Sequence, residues 1–134
     1  LVRGHVAYER GVTVVSSTAQ EVWIQGRGVC QDLTHVTIAA LRHVGVPARY
    51  VSGYFLSRPD VEVGEVVTGE SHAWVEYFAS DWRAVDPTNG GPIGVHHVVV
   101  AKGREYGDVA PLKGVYHGGP SSALGVTVEM SRLG

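Results

Sequence analysis

The only cysteine of the chain, Cys30, lies where a thiol could act as a nucleophile. It belongs to the segment GVCQD (28–32), in which a glycine-containing loop runs into residues with the helical spacing of apolar side chains. A cysteine at a helix N-terminus faces unpaired backbone N–H groups and the positive end of the helix dipole. Both favour the thiolate, the form that attacks carbonyl carbons. The position therefore indicates acyl transfer by Cys30, although a lone cysteine more often packs as a small buried hydrophobe.

His72 and Asp86 supply the two other groups that thiol chemistry needs. A nucleophilic thiol requires a base that takes its proton, and the base requires an acceptor that fixes its tautomer and orientation. Singly, a strand histidine can be a half-exposed side chain, and an aspartate before Pro87 can be a turn former. A cysteine that opens a helix, a histidine on a strand and an aspartate that ends the next strand together predict a Cys-His-Asp triad.

The length of the loop in the predicted hairpin decides whether His72 and Asp86 lie on the same face. Period-two spacing predicts strands over 72–79 and 82–85, joined by a turn at 80–81. A two-residue loop would place His72 and Asp86 on opposite faces, whereas an odd-length loop or a bulge places them on the same face. We therefore predict a three-residue loop or a bulge, because regular two-residue pairing would rule out the triad.

Two other kinds of site have weaker support in the sequence. Seven histidines could ligate zinc together with Cys30, but neither His-Glu-x-x-His nor paired Cys-x-x-Cys is present, and Cys30 and His35 are out of phase on a helix. We expect neither a metal nor a cofactor, and we expect His35 to pack against the sheet. Ser71 precedes His72, but neighbouring strand residues point to opposite faces and the sequence lacks the Gly-x-Ser-x-Gly nucleophile elbow.

Two helices are predicted in the first third of the chain. Thr18 and Glu21 have the spacing of a capping box and start a helix over 18–25, which Gly26 ends. The second helix, over 30–44, has apolar residues at helical spacing and ends at Gly45. Its predicted apolar face consists of Leu33, Thr37, Ala40, Leu41 and Val44.

After the second helix the hydrophobic pattern changes to period two. It predicts strands over 48–56, 72–79, 82–85, 96–101 and 124–130, with a surface loop over 58–69 and a long glycine-rich connection before the last strand. Trp74 shares a face with His72, where core or hairpin packing is the usual role of a strand aromatic. Helices first and strands afterwards predict an α+β fold, with a mostly antiparallel sheet packed against the helix that carries Cys30.

Length and composition are those of one compact domain, residues 1–134. A chain of 134 residues, 44% hydrophobic and 18% charged, can bury one core and is too short for two ordinary domains. Eleven basic and thirteen acidic residues give a net charge of −2 without a basic block, which argues against a nucleic-acid partner. One cysteine cannot form an internal disulfide, so we expect the reducing environment of the cytoplasm.

The first residues of the chain and its hydropathy were compared with those of signal peptides and membrane-spanning segments. The chain begins LVRGH, without an initiator methionine or a signal-peptide pattern, and it contains no apolar run long enough to span a bilayer. We expect neither export by its own signal nor a membrane partner. The missing methionine predicts that the sequence is the C-terminal fragment of a longer chain.

Three blocks of this sequence resemble the transglutaminase-like superfamily, a papain-related group that includes bacterial proteins described as cysteine proteases. The first block is GVCQD (28–32) with ALRHVGVPARYVSGY (40–54), which is similar to the nucleophile helix and the strand after it. The second, SHAWVE (71–76), is similar to the histidine strand, and the third, VDPTNG (85–90), to the aspartate strand. In combination the blocks are far more specific than any one of them, and 96–118 also fits the bacterial subgroup.

The resemblance implies a papain-like, transglutaminase-like fold with Cys30 as nucleophile, His72 as general base and then acid, and Asp86 as the group that orients His72. It implies acyl transfer at an amide bond of a protein or peptide substrate, most simply hydrolysis through a thioester. The alternatives are crosslinking, as by a protein-glutamine γ-glutamyltransferase, and peptide binding without catalysis. Relatives commonly support the oxyanion with a side-chain donor upstream of the cysteine, and the sequence alone identifies no matching residue here.

Overall fold

The computed structural model describes residues 1–58, 60–110 and 127–134 of the chain. Within these ranges, no helix is both long enough and apolar enough to cross a membrane. In chain order, the described elements are α1 (Val2–His5), β1 (Ala7–Tyr8), α2 (Ala19–Gln25), β2 (Arg27–Gly28), α3 (Cys30–His43), β3 (Ala48–Phe55), β4 (Val66–Thr68), β5 (Glu70–Ala79), β6 (Asp81–Asp86), β7 (Gly91–Pro92), β8 (His97–Gly103), α4 (Tyr106–Val109) and β9 (Glu129–Ser131).

Helix α2 begins and ends at local sequence signals, as predicted for 18–25. Thr18 is the N-cap: its hydroxyl accepts the Glu21 N–H at 3.2 Å, and the Glu21 carboxylate accepts the Thr18 N–H at 2.7 Å. This reciprocal pair satisfies two backbone donors that the first helical turn leaves unpaired. Gly26 follows in the left-handed region at φ 69°, which ends the helix.

Helix α3 confirms the prediction for 30–44 to within one residue, but the predicted apolar face is wrong in part. Ala40 and Val44 are exposed, whereas Ile38 is buried. The reason is that two layers cover the helix: Leu33 and Val36 pack with the N-terminal residues and α2, and Ile38 packs with the sheet. A single apolar stripe cannot describe a helix that is buried on two sides. Its buried residues are Asp32, Leu33, Thr34, Val36 and Ile38.

Among the described residues, the main sheet has five strands in the order β7-β6-β5-β3-β8, and all neighbours in it are antiparallel. Strands β3, β5, β6 and β8 confirm four predicted strands, with ends that differ by up to two residues. Tyr50 of β3 and Val75 of β5 pack against Ile38 of α3 in one buried cluster. The fold is therefore α+β, with the helix that carries Cys30 packed on a mostly antiparallel sheet.

The loop between β5 and β6 has the odd length that the triad requires. Phe78 pairs with Trp82 and Ala79 with Asp81, so Ser80 alone joins the two strands, with φ 69°. Carried one residue beyond the last pair, this register sets Asp86 opposite Trp74, which lies two residues from His72 on the same face. The predicted odd length is confirmed, although one residue rather than three lies between the paired strands, and His72 and Asp86 share a face of the hairpin.

The predicted surface loop over 58–69 is wrong at its end, because β4 occupies 66–68 and pairs antiparallel with β9. The partner strand lies at the far end of the chain, so a local pattern does not reveal the pairing. Of the predicted strand over 124–130, β9 contains 129–130 and extends to Ser131. Residues 124–126 of that prediction lie outside the described residues.

Candidate active site

Cys30 is the first residue of α3, and the residues around it explain the sequence of the segment 28–32. The Asp32 carboxylate accepts the Val29 N–H at 2.8 Å and the Thr13 hydroxyl at 2.6 Å, and Asp32 is buried. A Cβ on Gly28 would lie 2.7 Å from the Asp32 Cβ, so a larger residue there would displace the capping carboxylate. Gly28 and Asp32 thus fix the N-terminus of α3, and with it the position of Cys30.

His72 and Asp86 are in direct contact, as predicted. The His72 Nε2 lies 2.7 Å from the Asp86 Oδ2, and the side chains are 8% and 1% exposed. Strand β5 carries the histidine and the last residue of β6 is the aspartate. Because Nε2 is used in this contact, the other ring nitrogen of His72 is the one available to the Cys30 thiol.

Asp86 is held by its own turn as well as by His72. Its Oδ1 accepts the backbone N–H groups of Thr88 at 2.9 Å and Asn89 at 3.1 Å, and its Oδ2 accepts the Asn89 side-chain amide at 2.7 Å. The turn continues to Gly90, which has φ 76°. The turn-forming role of the aspartate and its contact with the histidine, weighed as alternatives from sequence, therefore occur together.

The charges of the pair stabilise each other despite burial. Burial disfavours the imidazolium of His72, but the hydrogen bonds and charges of Asp86 and Cys30 outweigh it and raise the pKa of His72 to about 9. Burial also disfavours the Asp86 carboxylate, yet hydrogen bonds from His72, the Asn89 backbone and His97 hold the pKa of Asp86 well below its usual range. At neutral pH, His72 therefore keeps its proton beside the Cys30 thiol.

Cys30 and His72 border the same open cleft, which has a volume of about 740 Å³. Tyr8 of β1 lies on its wall, and its hydroxyl accepts a hydrogen bond from the Arg10 Nε at 3.2 Å. Arg10 also pairs with Glu70 of β5 at 3.5 Å, so the cleft contains both signs of charge. The arrangement places a thiol, an imidazole and charged side chains around one open cleft.

The structure brings one further histidine to Asp86 that the sequence did not single out. The His97 Nε2 lies 3.1 Å from the same Asp86 Oδ2, and the His97 side chain is 6% exposed. The dipeptide His96-His97 is visible in the predicted strand over 96–101. Which of the two rings faces Asp86 depends on the strand register, which period-two spacing does not predict.

His72, Asp86 and His97 are residue types that can bind a metal ion. One potential ligand atom of each lies within 4.8 Å of those of the other two. Hydrogen bonds between them already use these atoms. We therefore describe them as a hydrogen-bonded network. His35, which was weighed with Cys30 as a zinc ligand, packs instead against the ring of Tyr50 at 5.2 Å, as the prediction of a sheet-packed histidine requires.

Two mycobacterial proteins are similar to this chain over almost all of its length. The uncharacterized protein ML0607 of Mycobacterium leprae is 45% identical over 131 residues, which cover 98% of this chain and 47% of that protein. The uncharacterized protein Rv2569c of Mycobacterium tuberculosis is 34% identical over 131 residues, covering 92% of this chain and 42% of that protein. The chain thus spans less than half the length of these relatives.

A solved structure shares the fold and part of the sequence. The crystal structure of a protein described as a putative cysteine protease from Cytophaga hutchinsonii superposes with a TM-score of 0.69 and 29% sequence identity. The match covers 81% of this chain and 35% of that one.

The profile of the transglutaminase-like superfamily matches residues 1–87, a range that includes Cys30, His72 and Asp86. With well over half of its residues in that match, the chain belongs to the transglutaminase-like superfamily.

Proposed function

We propose that this chain is a thiol acyl-transfer enzyme that hydrolyses amide bonds in a protein or peptide substrate. The observation that carries the proposal is the His72–Asp86 hydrogen bond of 2.7 Å beside the Cys30 thiol, at the N-terminus of α3 and on the wall of an open cleft. A nucleophile, a proton carrier and an orienting acceptor in this arrangement are the parts of a thiol acyl-transfer site.

In the proposed reaction, the Cys30 sulfur forms a bond to the amide carbonyl carbon while His72 holds the proton. Collapse of the tetrahedral intermediate breaks the C–N bond, and His72 gives its proton to the leaving amine, which leaves a thioester on Cys30. Water then attacks the thioester and passes a proton to His72, which releases the acid and restores the thiolate. The raised pKa of His72 supports its role as the proton donor at neutral pH.

Two groups are available to stabilise the oxyanion of this intermediate. The backbone N–H of Cys30 is the first of α3, and no earlier turn of the helix provides a carbonyl to accept its proton. The Tyr8 hydroxyl accepts a hydrogen bond from Arg10, which leaves its own proton free to be donated into the cleft. We assign Tyr8 as the upstream side-chain donor that the sequence did not identify.

The proposal is tested by labelling with iodoacetamide and by turnover of peptide amides, with the Cys30→Ala variant as reference. We expect alkylation of Cys30 in the wild-type protein near neutral pH, identified by peptide mass spectrometry, and loss of all amide turnover in Cys30→Ala without loss of the fold. Turnover that persists in Cys30→Ala would overturn the mechanism. A Cys30 that labels no faster than a free thiol would instead favour a module that binds peptides without catalysis.

Transfer to an amine is the second candidate function, because the same thioester can react with an amine instead of water. Adding a primary amine together with a glutamine-containing protein separates the two outcomes. Hydrolysis gives a free acid, whereas crosslinking incorporates the amine. The neighbouring structure is described as a putative cysteine protease, which supports hydrolysis.

A further inference from the structure

His97 reaches the active site because strand β8 contains an irregularity. The register between β3 and β8 shifts by one residue between Ser52 and Gly53, and beyond the shift Phe55 lies opposite His97. Without the shift, Val98 would lie opposite Phe55, and His97 would point to the other face of the sheet. The irregularity thus selects the histidine that contacts the triad, in a segment outside the residues 1–87 that the family profile matches.

The hydrogen bonds of His97 define which of its nitrogens carries the proton. The Gly94 backbone N–H donates to the His97 Nδ1 at 3.3 Å, so Nδ1 is an acceptor. We therefore assign the proton to Nε2, which donates to the Asp86 Oδ2 at 3.1 Å. The rings of Phe55 at 4.8 Å and Trp74 at 5.2 Å pack against the imidazole and restrain its orientation.

The Asp86 Oδ2 thus accepts three donors: the His72 Nε2 at 2.7 Å, the Asn89 amide at 2.7 Å and the His97 Nε2 at 3.1 Å. Each donor withdraws part of the negative charge of that oxygen. Every hydrogen bond from His97 or Asn89 therefore weakens the hold of Asp86 on the proton of His72. A proton that is held too tightly on His72 would not pass to the leaving amine.

We propose that His97 is a positioning residue of the active site, which acts through Asp86 by sharing its Oδ2 with His72 and so limits how tightly the imidazolium of His72 retains its proton. This inference rests on the proposed function. Other groups that face His72 are the Cys30 thiol from α3 and Asp86 from β6, while Glu70 on β5 borders the same cleft and is paired with Arg10.

Two substitutions of similar length separate hydrogen bonding from packing. His97→Gln keeps a side-chain amide that can donate to Asp86, whereas His97→Met fills similar space without a donor. In His97→Met we expect the NMR titration of His72 to move to higher pH, and the upper inflection of the iodoacetamide labelling profile of Cys30 to move with it. His97→Gln should restore most of the difference. His43→Gln, an exposed histidine in the last turn of α3, is the control.

Each outcome decides the proposal. A titration of His72 that is unchanged in both variants, or shifted equally in both, would overturn the role of the hydrogen bond and leave His97 as a packing residue. If His97→Met does not fold, His97→Asn, whose amide is too short to reach the Asp86 carboxylate, takes its place. A wild-type Cys30 that is inert to iodoacetamide would overturn the proposed function, whereas the titration of His72 would still test His97.

Discussion

Strand β5 is buried on both faces, and the two faces are built from different kinds of residue. Ala73 and Val75 belong to the apolar cluster that packs on α3; we call this side the helix-packed face. The alternate residues His72, Trp74 and Glu76 point the other way, and with Asp86 and His97 they form the polar face. Strand β5 therefore joins an ordinary core to a network of buried charges.

The two faces are stabilised in different ways. The helix-packed face is stabilised by apolar area removed from water. The stability lost when it is disrupted grows with the size of the cavity left behind. The polar face depends on matched charges: besides the Asp86 network, Glu76 pairs with Arg49 at 2.6 Å and with Lys102 at 2.7 Å. Glu76 is buried, and a buried charge contributes little net stability but is costly when its partner is lost. Substitutions on the two faces should thus separate folding from chemistry.

The largest expected effect is that of Asp86→Asn, which removes one charge from the polar face and keeps the shape of the side chain. The amide oxygen can still accept the backbone N–H groups of Thr88 and Asn89, so the turn should persist. Without the carboxylate, His72 loses the partner that orients it and holds its proton. We expect turnover of a peptide amide to fall by about 10⁴-fold.

The matched control for Asp86→Asn is Asp81→Asn, at the exposed tip of the same hairpin. Asp81 pairs only with the neighbouring Arg83 in the described part of the chain, at 3.1 Å and on the surface. Its substitution should leave both turnover and stability almost unchanged. Similar losses of turnover in the two variants would show that the polar face has no special part in the chemistry, and would remove the contrast between the faces.

The helix-packed face is tested by Ile38→Ala. Ile38 is 4% exposed and lies in the cluster between α3 and the sheet, so truncation leaves a cavity. We expect the free energy of unfolding to fall by about 2–5 kcal/mol, measured by urea denaturation. Ile24→Ala, on α2 and 76% exposed, is the control and should cost less than about 0.5 kcal/mol.

The same Ile38 variant sharpens the comparison if its turnover is measured on the folded protein. Cys30 packs against the same cluster as Ile38, but the Asp32 cap fixes the start of α3, so the folded fraction should keep its rate. If the turnover rate of the folded variant falls as much as its stability, or more, the position of Cys30 depends on the packing of the whole helix. The two faces would then act as one unit.

The helices, most of the strands and the contact of His72 with Asp86 within one hairpin could be predicted from sequence, because each depends on local signals. Thr18 and Glu21 form the predicted capping box. The odd length of the hairpin loop could be predicted because His72 and Asp86 can share a face only with such a loop. The predicted helix over 30–44 needs only apolar residues at helical spacing and Gly45. These features lie within a few residues of the positions that they determine.

What the sequence did not predict depends on contacts between distant segments. The exposure of Val44 and the burial of Ile38 depend on which elements cover α3, and both covering layers come from other parts of the chain. The contact of His97 with Asp86 requires a one-residue shift in the register of β8. Period-two spacing shows that a strand exists, but it does not fix the partner residue across the sheet.

The smallest expected effect is a pH dependence of stability that the polar face alone should produce. Folding raises the pKa of His72 from its ordinary value near 6.5 to about 9, so the folded protein binds the proton more tightly than the unfolded chain. The stabilisation is fully present below about pH 6.5 and is lost as the pH rises through about 9. Asp86 has the opposite sign: its contribution is present above its ordinary pKa and is lost on acidification.

Urea unfolding at several pH values between 6.5 and 9.5 measures this effect. We expect the free energy of unfolding of the wild-type protein to decrease across this window, and the decrease to be smaller in His72→Gln, which cannot bind a proton. Ile38→Ala should lower the whole curve and keep its slope, because the isoleucine side chain that is removed carries no group that titrates. If His72→Gln kept the wild-type slope, the pH dependence would arise elsewhere, and the polar face would not hold the proton that the proposed reaction requires.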